Sequence, residues 1–285
     1  MSLGFMFFLP LAMGFVAVYV TERRQPQTVA VWLQASGFTV LACIGGTVAM
    51  VWEGLICAVM FLPFGLAAGM IGGLAAGFLM RTFRTKPAAN VSLACVMVLP
   101  LLVAPWERVL AREELRTVQS AIDVHASPET VWRNIERVPT IAPEELQPSW
   151  ARRMGFPRPV EATLSFAGVG GVRHATFEGG VLFIETVDVW EPQHRLAFSI
   201  RPQTAAIPPT TFDEHVTVGG PFFDVLRGEY SLEPLPGGIT RIHLSSRHRL
   251  STDFNWYARL WTDAVMADIQ NTILQVIHDR CEAAR

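Results

Sequence analysis

The residues GEYSLEPLPGGITRIHLSSRHRL, at positions 228–250, carry the strongest indication of the fold in the C-terminal part of the chain. They contain two alternating runs of polar and apolar residues, separated by the turn sequence Pro236-Gly237-Gly238. In the second run, every other residue from Ile242 to Leu250 shares one face, and arginines occupy most of the other. Alternation with a period of two is typical of half-buried strands, so the stretch predicts an antiparallel hairpin.

More strand-like runs precede this hairpin, with turn residues such as Gly179-Gly180 and Glu191-Pro192 between them. The sequence predicts strands at 117–126, 159–167, 171–178, 181–190, 194–201, 221–234 and 238–250. Residues 202–220 are rich in proline, glycine and threonine, which predicts a long loop.

Two helices complete the predicted domain. Ser127-Pro128 starts the first, with serine as the N-cap and proline at the first helical position. The second covers residues 252–283 and carries an apolar stripe with the spacing of a packed helix face. The stripe consists of Tyr257, Leu260, Trp261, Ala264, Val265, Ile269, Ile273, Val276 and Ile277.

The first 106 residues have a different character, because they are almost uncharged and strongly apolar. A bilayer core needs about 20 apolar residues in a helix. Four stretches qualify, at about 3–20, 28–52, 54–80 and 88–106, followed by a short juxtamembrane helix at 107–116. No basic residue precedes Arg23, so the first stretch is predicted to be a retained span, not a cleaved signal peptide.

Basic residues predict the orientation. Arg23 and Arg24 follow the first span, and Arg81, Arg84 and Lys86 follow the third. If four spans cross, these basic loops lie on the cytoplasmic side, and the C-terminal domain is extracytoplasmic. Three arginines between 108 and 116 oppose this, and a fourth span that does not cross would leave the domain cytoplasmic. The expected location is a bacterial inner membrane.

Glycines recur every fourth residue in the third span, a spacing that lets helices approach closely. They are Gly65, Gly69, Gly73 and Gly77. Packing within one bundle is the favoured interpretation, and a homo-oligomer through the third span is the alternative. Gln34 is the main polar residue of the spans, which argues against a transport path.

Charge and motifs exclude several classes of function. Residues 1–105 carry a net charge of +3 and the rest −5, without a basic patch, so nucleic acid is not an expected partner. No cysteine has the spacing of a metal site, and no dinucleotide or phosphate-loop fingerprint occurs, so neither metal nor cofactor is expected.

The order of elements resembles the START-like superfamily, also called SRPBCC or the polyketide cyclase/dehydrase and lipid-transport group. Three stretches carry the resemblance: VQSAIDVHASPETVWRNIERV (118–138), ETVDVWEPQHRLAFSI (185–200), and residues 228–250 leading into the final helix. The resemblance covers residues 117–285 and implies an α+β helix-grip domain, in which a curved antiparallel sheet surrounds a long C-terminal helix. It also implies an apolar cavity for lipids or other hydrophobic small molecules.

Side chains expected to line this cavity are Trp150, Phe198, Tyr230, His248, Trp256, Tyr257 and Trp261. For catalysis, His248 on the apolar face of the last strand is a candidate, as is the pair His174 and Glu178, four apart on one strand. Asp213, Glu214 and His215 lie together in the long loop, where solvated polar residues are also common.

Three functions remain open at this point. The first is membrane-anchored binding of a hydrophobic small molecule or lipid. The second is a cyclase/dehydrase-type enzyme that uses His248 or the His174–Glu178 pair. The third is a structural or assembly role with a collapsed cavity.

Overall fold

The computed structural model describes residues 3–50, 54–82, 113–203 and 218–283. The chain divides into two compact units. The first holds the N-terminal helices, and the second holds Glu113–Ser251 and the chain from Asn255 onward.

Three helices form the described part of the first unit: α1 (Leu3–Arg24), α2 (Val29–Ala49) and α3 (Leu55–Thr82). By length and apolar composition, each is able to cross a membrane. The predicted span at 88–106 lies outside the described residues, as does the predicted juxtamembrane helix up to residue 112.

Close contacts between backbones explain the glycines of α3. A Cβ on Gly72 would lie 2.0 Å from the Leu11 carbonyl oxygen of α1, and one on Gly73 would lie 2.8 Å from Ser36 Oγ of α2. Gly69 and Gly77 likewise face Val40 and Trp32 of α2. The nearest neighbour of Gly65 is Phe61 of its own helix. The glycine row therefore packs mainly against helices of the same chain.

A buried carboxylate of α1 binds the α1–α2 connection and α2, and an arginine of α3 contacts the same two residues. Oε2 of Glu22 accepts hydrogen bonds from Trp32 Nε1 at 3.0 Å and from the Gln27 backbone N–H at 2.8 Å. The guanidinium of Arg81 lies 4.2 Å from the centre of the Trp32 ring and donates to the Gln27 carbonyl at 2.7 Å. These contacts satisfy polar groups at one end of the bundle, where unpaired groups would be costly.

The second unit contains a curled antiparallel sheet in the order β1-β7-β6-β5-β4-β3-β2. Its strands are β1 (Glu114–Val124), β2 (Pro159–Leu164), β3 (Val172–Phe177), β4 (Val181–Glu191), β5 (Arg195–Gln203), β6 (Phe223–Leu235) and β7 (Ile239–Leu250). The hairpin β6–β7 is the predicted one, with its turn at Pro236-Gly237-Gly238. The prediction of helix as far as residue 116 is wrong, because Glu114, Leu115 and Arg116 alternate between half-buried and exposed and pair with the end of β7.

Three α-helices accompany the sheet. They are α4 (Pro128–Glu136), α5 (Trp150–Arg153) and α6 (Asn255–Ala283), and short 3-10 turns occupy Pro143–Glu145 and Glu178–Gly180. Ser127 caps α4 as predicted, because its side chain accepts a hydrogen bond from Thr130 N. The predicted α+β helix-grip architecture is confirmed by the curled sheet and the long C-terminal helix.

Helix α6 is attached to the sheet by apolar and polar contacts. Leu274, Ile277 and Cys281 are buried in the main core of the domain. Gln270 donates to the Val118 carbonyl at 3.0 Å and to Ser246 Oγ at 2.9 Å. One part of the predicted stripe is wrong: Leu260 is 61 % exposed and Ala264 is also exposed, because the sheet covers a different face of the first turns.

Candidate functional site

The inner face of the sheet, which faces α4 and α6, is lined mostly by buried apolar and aromatic side chains. The rings of Trp132 and Trp190 meet edge to face at 5.1 Å. The other strand residues of this core are Val124, Leu164, Val187, Leu196, Phe198, Tyr230, Leu232, Ile242 and Leu244. A second apolar cluster around Val276 of α6 includes Ala162 of β2 and Ala175 of β3.

A buried ion pair interrupts this apolar face. Arg173 of β3 and Glu185 of β4 stand directly opposite each other in the strand register. Nη1 of Arg173 donates to Oε2 of Glu185, and the two residues are only 4 % and 6 % exposed. Each ion loses hydration at this depth, which costs free energy that the pairing only partly recovers. If this face served only for packing, apolar residues would fill it without the cost of removing two charges from water.

Aromatic residues of the next two strands surround the guanidinium. The Arg173 Cζ lies 5.4 Å from the centre of the Phe198 ring, and the buried Tyr230 side chain interacts electrostatically with the guanidinium. Gly228 stands opposite Phe198 across the β5–β6 pair. A Cβ at Gly228 would lie 2.5 Å from Phe198 Cε2, so the glycine leaves the space in which the ring lies.

Burial controls the acid–base properties of this cluster. It raises the pKa of Glu185, and the positive charge of Arg173 opposes that rise. Burial also raises the pKa of Tyr230, so the phenol stays protonated and is available as a hydrogen-bond donor. Arg173 Nε has no hydrogen-bond partner among the described residues. The cluster therefore presents one unused N–H group inside an apolar environment.

His248 occupies a second polar position, nearer the start of α6. Its side chain is fully buried, and neither ring nitrogen has a hydrogen-bond partner among the described residues. Nε2 lies 3.7 Å from Oδ1 of Asp263, which is too long for a hydrogen bond, and the Phe223 ring is centred 5.4 Å away. Burial lowers the pKa of His248, which favours the neutral imidazole.

The seven side chains expected to line the cavity do not form one group. Phe198 and Tyr230 lie beside the ion pair, whereas His248 lies on β7, opposite Val225 of β6. Tyr257 and Trp261 are half-buried on α6, with their rings 6.4 Å apart. Trp150 and Trp256 are 37 % and 56 % exposed, so they add less to a buried lining than their size suggested.

The predicted acid–base pair of His174 and Glu178 is wrong. His174 is exposed on the outer face of β3, and Glu178 follows the end of that strand in a 3-10 turn. The Glu178 carboxylate lies 3.4 Å from Arg158 Nε at the surface. The loop candidates Asp213, Glu214 and His215 lie outside the described residues. Among the residues that the structure describes, no cluster of three or more His, Cys, Asp or Glu is placed to hold a metal ion.

The ion pair was missed, although the sequence contains a signal for it. Arg173 and Ala175 share one face of a short strand, and Glu185 stands between Phe183 and Val187 on one face of the next. Side chains two residues apart in a strand share one face. Because the neighbours at this spacing are apolar, both charged residues can be assigned to the inner face. That the two side chains stand opposite each other follows only from the register of β3 and β4, which the sequence does not show.

Comparisons with solved structures found matches along about three-fifths of the chain. A START superfamily protein from Mycobacterium smegmatis matches at 11 % identity and a TM-score of 0.40, covering 59 % of this chain and 99 % of that one. A protein from Mesorhizobium loti matches at 17 % identity and a TM-score of 0.38, covering 60 % and 99 %. A norcoclaurine synthase from Thalictrum, solved with a transition-state analogue, matches at 14 % identity and a TM-score of 0.36, covering 59 % and 98 %.

No protein-family model matches the sequence, and no curated protein matches it. The similarities to solved structures are too distant to transfer a ligand or an activity. The strand order and the long C-terminal helix of the second unit nevertheless define its architecture. The described residues 113–203 and 218–283 form a helix-grip fold, in which a curled antiparallel sheet accompanies a long C-terminal helix.

Proposed function

We propose that this chain is a membrane-anchored binding protein whose START-like domain holds a hydrophobic small molecule or lipid on the inner face of its sheet. The observation that carries the proposal is the Arg173–Glu185 pair, a polar group buried within an aromatic and aliphatic lining. Binding sites for small molecules are typically apolar with a few placed polar groups.

Anchoring gives such a domain a physical advantage. Three apolar helices precede it, and a tether of this kind raises the effective concentration of the domain near any ligand that resides in the bilayer. We place the protein in a bacterial inner membrane with the domain on the extracytoplasmic side, the orientation that the basic loops predict when residues 88–106 form a fourth span. Reporter fusions at Arg285 that are active on only one side of the membrane test this orientation, and cytoplasmic activity would reverse it.

Ligand binding is tested on the full chain, purified in a mild detergent. Native mass spectrometry and extraction with organic solvent should show a co-purified apolar molecule. The variant Ala175→Leu adds volume to the inner face of β3 and should reduce occupancy. The matched control His174→Leu changes the adjacent residue on the outer face and should leave occupancy unchanged. A folded wild-type protein that carries no apolar molecule, and takes none up when it is offered, would refute the proposal.

A further inference from the structure

Arg173 carries an unused N–H group inside the domain, and its role as a ligand contact rests on the proposed ligand-binding function. The side chain is 4 % exposed, and its Nε lies without a hydrogen-bond partner among the described residues. Buried N–H donors in proteins are nearly always paired with an acceptor. An acceptor atom on a bound ligand would complete this one.

The charge around that donor limits what the acceptor can be. Glu185 contacts the guanidinium directly, so the charge of Arg173 is already balanced. Arg173 and Glu185 are the only arginine, lysine, aspartate or glutamate side chains that are buried in the described part of the second unit. A second anion would therefore add an unbalanced negative charge to a site of low polarity, next to an existing carboxylate.

Apart from the Glu185 carboxylate and the Tyr230 side chain, the groups around Arg173 are apolar. The Phe198 ring lies beside the guanidinium, and Ala175 and Val187 lie two residues from Arg173 and Glu185 on the same inner face. This environment suits the hydrocarbon part of a ligand. Within it, Arg173 Nε is a donor without a hydrogen-bond partner among the described residues.

We infer that the site selects ligands with an uncharged hydrogen-bond acceptor, such as an ester, ketone, ether or hydroxyl oxygen, on a hydrophobic body. Carboxylates, sulfonates and phosphates of the same hydrophobic size bind less well. Hydrocarbons without any acceptor also bind less well, because they leave the Arg173 N–H unpaired.

Three probes with the same chain length separate these cases: methyl palmitate, hexadecane and the permanently anionic 1-hexadecanesulfonate. The delipidated full chain, in an uncharged detergent, is offered pairs of probes, and the bound ratio is measured by native mass spectrometry. Each ratio is compared between wild type and variants under identical conditions, so that partition of the probes into detergent cancels.

The double variant Arg173→Met/Glu185→Leu removes both charges and keeps an apolar face, a replacement that buried ion pairs often tolerate. In this variant the preference for methyl palmitate over hexadecane should fall by about tenfold, the usual discrimination of one buried hydrogen bond. Glu185→Gln keeps a polar partner for Arg173 but removes the balancing charge, so it should shift the ratio toward hexadecanesulfonate by about tenfold or more. The double variant still tests the inference if Glu185→Gln fails to fold.

The control is Arg195→Met/Glu229→Leu, which removes a hydrogen-bonded ion pair of β5 and β6 that is partly exposed. It should leave both ratios as in wild type. If a folded wild-type chain binds none of the three probes, the proposed function fails. If it binds them but the double variant leaves the ester preference unchanged, or Glu185→Gln does not favour the sulfonate, the inference is overturned while the binding function stands.

Discussion

Nε2 of His248 lies 3.7 Å from Oδ1 of Asp263, yet the carboxylate is bound by another residue. Arg116 of β1 donates to both oxygens of Asp263, at 3.0 Å from Nε and 2.5 Å from Nη2. The imidazole is thus buried beside a carboxylate that accepts hydrogen bonds from Arg116 and none from the imidazole. Burial is the main reason that the pKa of His248 is lowered, and Arg116 lowers it further while Asp263 opposes the shift.

This arrangement predicts acid sensitivity. Because the pKa of His248 is lower in the folded chain than in the unfolded chain, the unfolded state takes up the proton first as the pH falls below about 6.5. The free energy of unfolding should therefore fall between that pH and the lower pKa of the folded state. His248→Leu should remove this loss, which thermal unfolding of the full chain between pH 8 and pH 5 can measure.

The control is His174→Leu, which removes an exposed histidine on the outer face of β3. It should retain the wild-type pH dependence. At pH 8 the His248→Leu variant should be at least as stable as wild type, because leucine has no buried nitrogen to leave unpaired. An unchanged pH profile in His248→Leu would assign the acid sensitivity to other groups.

The Arg173–Glu185 pair predicts a non-additive effect on stability. Arg173→Met alone leaves a buried carboxylate without its partner and should lower the free energy of unfolding by about 3–5 kcal/mol. The double variant Arg173→Met/Glu185→Leu should recover most of that loss, because neither charge remains. Chemical denaturation of both variants measures the difference, and equal losses would mean that the two charges are not coupled.

The hydrogen bonds of Gln270 link α6 to the sheet, so we expect their loss to lower the free energy of unfolding. Besides its two donated bonds, its Oε1 accepts from Ser120 Oγ at 2.8 Å. Gln270→Leu should lower the free energy of unfolding by about 1–3 kcal/mol, because buried polar partners lose their bonds. The neighbouring Asn271 is exposed, so Asn271→Leu should change stability by about 0.5 kcal/mol or less. Similar losses in both variants would contradict the structural role of Gln270.

The helical unit predicts a strong contrast between two glycines. A Cβ at Gly72 of α3 would meet a backbone oxygen of α1, whereas one at Gly45 of α2 would have nothing within 4 Å. Gly72→Ala should destabilise the bundle by about 1–3 kcal/mol, since backbone cannot move aside as a flexible side chain can. Gly45→Ala should be neutral or slightly stabilising, because alanine favours helix. Thermal denaturation in detergent compares the two, and equal effects would contradict this packing of α1 on α3.

Local patterns in the sequence were sufficient for most of the fold. Alternation and turn residues identified the hairpin at 228–250, and Ser127-Pro128 marked the start of α4. These features depend on residues close together in the chain, where side-chain periodicity and backbone preference act directly. The start of β1 was misread because WERVLAREELR also fits a helical period, and only pairing with β7 makes Glu114–Arg116 a strand.

The candidate site was much less predictable, because it depends on register and packing. Large aromatic residues were expected in the cavity, but Trp150 and Trp256 project substantially into solvent. Their burial depends on which face of a helix meets the sheet. Glu178 was misplaced because β3 ends one residue earlier, at Phe177. Only the three-dimensional pairing of β3 with β4 shows that Arg173 meets Glu185.

Gly228 shapes the site because it has no side chain. Its lack of a Cβ lets the Phe198 ring lie against β6, and that ring in turn lies beside the guanidinium of Arg173. The volumes at positions 228 and 198 should therefore vary together in evolution, with a larger residue at 228 accompanied by a smaller one at 198. A coordinated exchange of volume between these two apolar positions is therefore a route by which the surroundings of the Arg173–Glu185 pair can change without altering any charged residue.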